Sequence, residues 1–429
     1  MKRKRAYLRY KPSGVEWLGD VPEHWDVKKL KYSFQLLTTK TENHVNPIAL
    51  ENIESWTGRL IVTETEFDGE GIAFIKDDLL FGKLRPYLAK VLKAELPGEA
   101  VGDFFVMRPQ QSMNPEYAAF SLRSEDFINI IDGSTFGSKM PRASWEFMGS
   151  VKIPLPPLPE QQAIAAYLDL ETGRIDRLLA KKERLIELLR EKRSALISHA
   201  VTKGIDTSVK LKPSGVEWLG DVPEHWKVKR LVFMLERLQD GTHFSPESDI
   251  TGDFLYVTAK NIKEWGLDLS NITYVTAEDH RSIYSRCPVK QGDVLYIKDG
   301  ATAGIATVNR MEQPFSMLSS VAMLRPKAEE CNCNFLSYHL NAKEFKSYAL
   351  NSLVGGAMTR FTLEIISKFR LISPPLIEQQ TIAAFLDRET GKIDALIAKV
   401  EDAIAKLKEY RTALISAAVT GKIDVREAA

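Results

Sequence analysis

The chain has 429 residues, enough for two or three domains with cores of their own. Its 58 Lys and Arg stand against 57 Asp and Glu, so composition by itself does not announce a nucleic-acid binder. No apolar run approaches the ~20 residues of a membrane span, and the basic start (Lys2, Arg3, Lys4, Arg5) lacks the apolar core of a signal peptide, so no membrane partner and a cytoplasmic chain are expected. Cys331 and Cys333 have no second ligand pair nearby, so free thiols in a reducing cytoplasm are expected rather than a zinc site.

The first motif in chain order is Lys11 to Trp25, KPSGVEWLGDVPEHW, which returns letter for letter as Lys212 to Trp226. The second is Glu160 to Asp206, which returns in close copy as Glu378 to Asp424 (EQQ, IAA, LD, ETG, ID and ALIS in both). The order is therefore lead-in, variable stretch, helix, and then all three again. A near-identical frame around different fillings suits a protein that holds two different readers in one fixed geometry.

The variable stretches, about 26–153 and 227–372, are related. Asp78 to Lys83 (DLLFGK) matches Asp293 to Lys298 (DVLYIK), and Arg108-Pro109 matches Arg325-Pro326. Gly137, Met140 and Arg142 match Gly355, Met358 and Arg360. The offset between copies grows in small steps, as insertions into the loops of one shared fold produce. Leu79–Phe81, Phe104–Met107, Val294–Ile297 and Val321–Leu324 read as strands, and 117–129 and 334–349 as helices. Each stretch is a mixed α/β domain.

The repeated segments read as long helices, about 160–201 and 378–419. Pro156, Pro157 and Pro159 precede the first, Pro374 and Pro375 the second, and proline is tolerated at a helix start but not inside it. Gly173 and Gly391 are the interior glycines, where a local kink is an option. A seam spaced three and four runs through Leu179, Lys182, Ile186, Leu189, Arg193 and Leu196, and in matched register through Ile397, Val400, Ile404, Leu407, Arg411 and Leu414. A helix of ~40 residues spans roughly 60 Å and cannot bury such a stripe against its own small domain. The two helices are therefore expected to pair with each other. With a globular unit at either end, the chain order makes them antiparallel and gives an internal pseudo-two-fold repeat. The expected architecture is α+β, in four segments: 1–158, a first recognition domain; 159–206, a first long helix; 207–376, a second domain; and 377–429, a second helix and tail.

Candidate contact residues lie at strand ends and in glycine-bearing loops. In the first domain they are Lys83, Arg85, Ser138, Lys139 and Arg142. In the second they are Thr242, His243, Lys260, Asn261, Lys298, Asp299, Thr359 and Arg360. Arg or Lys reads guanine edges, Asn reads adenine, and Thr or backbone amides hold phosphates. A single Lys or Arg is more often a solvated charge, and His243 has the alternative of a turn residue stacked on Phe244. The duplicated pairs Lys83/Lys298 and Arg142/Arg360 are the stronger candidates, although an Arg present in both copies also suits a loop support.

With these motifs in view, the chain resembles the specificity (S) subunit of a type I restriction–modification system. The likeness rests on the doubled KPSGVEWLGDVPEHW, the doubled PPLxEQQ–IAA–LD–ETG–ID helix and the two intervening domains, and it covers essentially the whole chain. It implies that each domain reads one half of a split, asymmetric duplex DNA target, while an antiparallel coiled coil sets the unread gap. It implies two modification (M) subunits that methylate adenine N6 with S-adenosylmethionine, and restriction (R) motor–nuclease subunits that use ATP and Mg. No cofactor is expected in this chain. It also assigns the Asp-Gly-Thr-His loop and the Lys-Asp-Gly-Ala-Thr loop to the second domain and Lys-Leu-Arg-Pro-Tyr to the first. Gly300 stands where Arg85 would be, so base contacts do not transfer between domains.

Two other readings fit the residues less well. A stand-alone adenine methyltransferase needs [NDS]-P-P-[FYW], whose aromatic stacks on the flipped base. Ser373-Pro374-Pro375-Leu376 lacks the ring, and Leu155-Pro156-Pro157-Leu158 lacks the polar residue as well. No phosphate-binding GxxxxGK[ST] loop occurs, and no Pro-Asp opens a nuclease site. A coiled-coil scaffold that touches only proteins accounts for the repeats but not for the different fillings. The chain is thus expected to be a non-catalytic subunit.

Overall fold

The computed structural model describes residues 5–41, 45–61, 69–135, 139–352 and 360–426. The candidates Ser138 and Thr359 lie outside the described residues. The chain forms two compact units, Met1–Glu183 with Glu401–Ala429, and Arg184–Val400.

Both long helices are present and slightly longer than expected, Leu158–Lys203 and Leu376–Val419. Neither breaks at Gly173 or Gly391. Each unit holds the front of one helix and the back of the other, packed side by side and antiparallel. In the first unit, the Tyr117 hydroxyl sits 3.3 Å from the Pro154 carbonyl, just before the first helix, and 3.1 Å from the Val419 carbonyl at the end of the second. Arg411 pairs with Asp176 at 2.9 Å. In the second unit, Arg193 pairs with Asp394 at 3.0 Å, and Ile197, Ala200 and Val201 share a core with Ile382, Ala383 and Leu386. Asp176 and Asp394 are repeat equivalents, as are Arg193 and Arg411, so one ion pair is built twice. The seam side chains are turned inward: Ile186, Leu189, Ile397, Val400 and Leu414 are buried and the other seam positions half-buried.

The repeated motifs make the joints of this frame. A helix start leaves backbone groups without partners. Gln161 instead ties the segments around that start together: its side-chain amide donates to the carbonyls of Pro156 (2.8 Å) and Ser112 (2.9 Å) and accepts from the amide of Asn114 (2.8 Å). Gln379 does the same with Pro374, Glu330 and Asn332, each at 2.9 Å. The preceding Glu160 meets His24 at 2.7 Å and Tyr7, and Glu378 meets His225 at 2.8 Å and Trp226 at 3.0 Å. The two motifs therefore recur together because each lead-in grips the start of a helix. The chain termini also meet within the first unit, where the Asp424 amide donates to the Arg5 carbonyl at 2.8 Å.

Each unit carries the same four-stranded antiparallel sheet. In the first its order is Phe34–Leu37, Phe104–Pro109, Leu79–Gly82, Val91–Lys93; in the second it is Leu235–Asp240, Val321–Pro326, Val294–Ile297, Ala306–Val308. The matched acid and base noted in the sequence bind each other. Arg108 grips Asp78 through two bonds of 2.8 Å, and Arg325 grips Asp293 through two bonds of 2.8 Å, with both carboxylates buried. A short helix begins after each sheet, capped by Asn114 or Asn332. Where one helix was expected over 117–129, two form, Pro115–Leu122 and Glu125–Gly133. Over 334–349 the same happens, with Cys333–Asn341 and Lys343–Asn351. The physical reason is local. The Ser124 hydroxyl takes up the Ser121 carbonyl at the end of the first helix (2.7 Å), Asn341 ties the last turn of its helix to both backbone groups of Ala306, and the chain turns extended at Ser124 and at Ala342, so neither helix ends on a proline or glycine.

Candidate nucleic-acid interface

Where the strand Leu79–Gly82 ends, the chain turns through Lys83, Leu84 and Arg85 and is held against a returning segment. The Lys83 amide donates to the Asp103 carbonyl (2.7 Å), the Ala143 amide to the Lys83 carbonyl (3.0 Å), and the Arg85 amide to the Pro141 carbonyl (2.8 Å). Leu84 thereby pairs with Arg142 as an isolated antiparallel bridge. The second unit repeats this. Lys298 donates to the Ser320 carbonyl (2.9 Å), Phe361 to the Lys298 carbonyl (2.8 Å), and Asp299 bridges Arg360. So Lys83, Leu84, Arg85 and Arg142 occupy the places of Lys298, Asp299, Gly300 and Arg360.

The side chains on this shared backbone differ. Lys83 lies over the Phe105 ring, 5.5 Å from its centre, and is half-buried. Lys298 is 3% exposed and faces two carboxylates, Asp240 at 3.5 Å and Asp299 at 3.4 Å. Arg142 and Arg360 are exposed at 52% and 59%, and each is held by an acid. The Arg85 side chain is exposed and has no hydrogen-bond or ion-pair partner among the described residues. Its backbone is left-handed (φ 51°, ψ 65°), at the place where Gly300 has φ +91°. That conformation crowds any Cβ, so an arginine kept there is a strained residue with an unengaged guanidinium. Lys139 is exposed three residues before Arg142, so Lys83, Arg85, Lys139 and Arg142 form one basic loop cluster.

In the second unit, Asp240 is the hub. Only 6% of its side chain is exposed, and it receives Lys298, Arg286 (3.2 Å) and His243 (3.2 Å). Thr242 is buried; its hydroxyl is engaged with both backbone groups of Phe244 at 3.2 Å, and its amide donates to the Met317 carbonyl at 2.8 Å. Asn261 is also buried and caps its own turn, accepting from the Thr258 amide (3.0 Å) and donating to the Asp268 carbonyl (3.1 Å). Asn52 makes the same turn in the first unit. The structure therefore gathers His243, Arg286 and Lys298 around Asp240, links Lys298 on to Asp299 and Asp299 to Arg360, and leaves Lys260 exposed on a separate turn. Sequence reasoning missed Asp103, Asp240 and Arg286. Asp240 opens the Asp-Gly-Thr-His motif and was in plain view, whereas nothing local marks Arg286.

Among the described residues no helix is long and apolar enough to cross a membrane. Cys331 is buried and Cys333 half-buried beside the helix it opens, and both thiols are free.

Two copies of one α/β scaffold, each with a strand-end loop alike in backbone but different in side chains, and each packed with parts of two long helices, define a doubled recognition protein. Residues 94–188 and 223–406 match the family described as the type I restriction modification DNA specificity domain, and the chain belongs to it. Relatives include the type I restriction enzyme MjaVIII specificity subunit of Methanocaldococcus jannaschii, 23% identical over 73% of this chain and 71% of that one. The putative MjaX specificity subunit of the same organism is 23% identical over 95% and 96%. The EcoKI specificity subunit of Escherichia coli K12 is 20% identical over 74% and 68%. The fold matches a chain solved in work on the assembly and conformational transition of the type I R-M system (TM-score 0.73, 19% identity, 93% of this chain and 98% of that chain). It also matches the HsdS subunit of Thermoanaerobacter tengcongensis (TM-score 0.56, 18% identity, 94% and 98%). The chain is a specificity subunit of a type I restriction–modification system, the non-catalytic member that carries the DNA specificity domains.

Proposed function

We propose that each α/β domain reads one half of a bipartite, asymmetric duplex DNA target, and that the helix pair sets the unread spacing between the halves. The observation that carries this is the pair of strand-end loops, alike in backbone and different in side chain: Leu84 against Asp299, Arg85 against Gly300. A shared scaffold with different outward chemistry suits two readers of two base sequences. The subunit works with two modification subunits that methylate adenine using S-adenosylmethionine. Restriction subunits with ATP and Mg join them on the same target in the cytoplasm. Lys83, Arg85, Ser138, Lys139, Arg142, His243, Lys260, Thr359 and Arg360 supply DNA contacts. Thr242, Asn261, Lys298 and Asp299 shape the loops that carry them. The proposed modules are 1–158 and 207–376, with 159–206 as the first long helix and 377–429 as the second long helix and tail. The test is exchange of residues 26–153 for the corresponding stretch of another specificity subunit, followed by genome-wide mapping of methylated adenines. One half of the target should change and the other keep its bases; alteration of both halves refutes the modular reading.

A further inference from the structure

The outward arginines of the two units each face an acid from the Nε side, through two hydrogen bonds in the first unit and a longer ion-pair contact in the second, and the acids come from different places. Arg142 donates from Nε and Nη2 to one oxygen of Asp103, at 3.1 and 3.0 Å. Asp103 lies in the turn before the strand Phe104–Pro109. Ser320 has that place in the second unit, since its carbonyl accepts from Lys298 as the Asp103 carbonyl accepts from Lys83. There the acid is Asp299, whose Oδ1 lies 3.4 Å from Arg360 Nε, and the matching residue of the first unit is Leu84. The acid has changed position, and the ion pair is present in both.

An ion pair this exposed contributes little to stability. Its presence by two routes points to a demand on the guanidinium itself. In both units the acid takes the Nε side. Among the described residues nothing covers the terminal Nη1–Nη2 edge, and that edge pairs bidentately with guanine O6 and N7 or with two phosphate oxygens. We propose that Asp103 and Asp299 are positioning residues for Arg142 and Arg360. Each acid fixes which edge of its arginine faces the DNA, and so sharpens base preference in its half of the target. This rests on the reading of Arg142 and Arg360 as DNA contacts.

The acid also repels phosphates, and that gives the test its sign. Asp103→Ser removes a negative charge from a surface that meets DNA, so affinity for arbitrary duplex rises. It also frees the guanidinium to rotate, so base preference falls. The experiment uses the chain assembled with its modification subunits and a random-sequence duplex library. Retained duplexes are sequenced, and binding to a mixed-sequence duplex is measured alongside, with melting temperatures as a check on folding. D103S is expected to lose base preference in one half of the target by about ten-fold, the scale of one misaligned bidentate contact, while binding the mixed-sequence duplex more tightly. Adding L84D, which copies the arrangement of the second unit, is expected to restore the preference. The reciprocal double change, Asp299→Leu with Ser320→Asp, should keep preference in the other half and serves as a second test if the first variants fold poorly. The proposal is overturned if D103S strengthens specific and mixed-sequence binding by one common factor, because the acid then acts only as a charge. It is overturned equally if L84D does not restore preference in a folded protein. R142Q separates the layers. If it leaves preference unchanged, Arg142 is not a DNA contact and the reading beneath the proposal fails.

Discussion

Replacing Arg85 with glycine should move stability and DNA binding in opposite directions. Arg85 sits at φ 51°, ψ 65°, and its counterpart Gly300 shows that the turn accepts glycine. A left-handed backbone costs a residue with a Cβ about 1–2 kcal/mol. Glycine removes that strain but loses about 0.5–1 kcal/mol more backbone entropy on folding. The net expectation is a gain of about 0.5–1 kcal/mol in the first unit. The same change removes an exposed guanidinium with no partner among the described residues. If it grips a base, about 1–3 kcal/mol of discrimination is lost at one position; if it grips a phosphate, the slope of log affinity against log salt falls by about 1 and base preference is kept. Arg85→Ala is the control: it keeps the strain and loses the guanidinium, so it should match R85G in binding without the stability gain. Stability is read by hydrogen exchange of peptides covering residues 79–93, because a two-unit chain has no single unfolding transition. Binding is read with the modification subunits present, at several salt concentrations. An R85G variant that binds as well as the parent, or exchanges no more slowly than R85A, would refute the reasoning.

Three further outcomes are expected. The doubled helix ion pair should be unequal: Asp176 and Arg411 are 10% and 12% exposed and Arg59 adds a second cation on Asp176, whereas Asp394 is 52% exposed. Asp176→Ala should therefore cost about 3 kcal/mol, seen as roughly 100-fold faster exchange near residues 405–419, and Asp394→Ala at most about 1 kcal/mol; equal effects would contradict this. Burial among Trp218, Phe335 and Phe345 lowers the His339 imidazole to about 3, so the folded second unit stays neutral there while the unfolded chain takes up a proton below its ordinary 6.5. Stability from this site should fall by about 2 kcal/mol between pH 7 and pH 5, and His339→Phe should flatten that fall; an unchanged pH profile counts against it. Finally, with a net charge of +1, the isolated chain should bind DNA weakly and gain affinity with its modification subunits, since tight phosphate binding needs many displaced counterions; tight, salt-sensitive site binding by the chain alone would be the contrary result.

Periodicity and repetition made the frame legible. A seam spaced three and four over ~40 residues has no partner in its own small domain, so the matched copy is the partner it needs, and chain order then gives the direction. Proline placement marked the helix starts, and the alignment of the two variable stretches identified Asp78 with Asp293 and Arg108 with Arg325 before either pair was seen to close. The resemblance carried the family, because the doubled lead-in and helix motifs recur as a set. The frame was readable because its determinants are local or repeated: a stripe, a breaker, a copied motif.

The tertiary structure alone decided the loops. Lys83 and Lys298 are equal letters at equal positions, yet one lies over Phe105 and the other is enclosed by Asp240 and Asp299. Thr242 and Asn261 look like outward polar residues in sequence and instead complete buried turns. Arg142 and Arg360 find their acids at non-equivalent positions, which no alignment of the copies would pair. The physical reason is common to all of these. A charged or polar side chain takes its role from the partners its fold brings within reach. For the lysines and arginines those partners come from strands and turns tens of residues away, and for Thr242 and Asn261 from a local turn whose closure depends on the backbone path, so sequence spacing carries no signal of either.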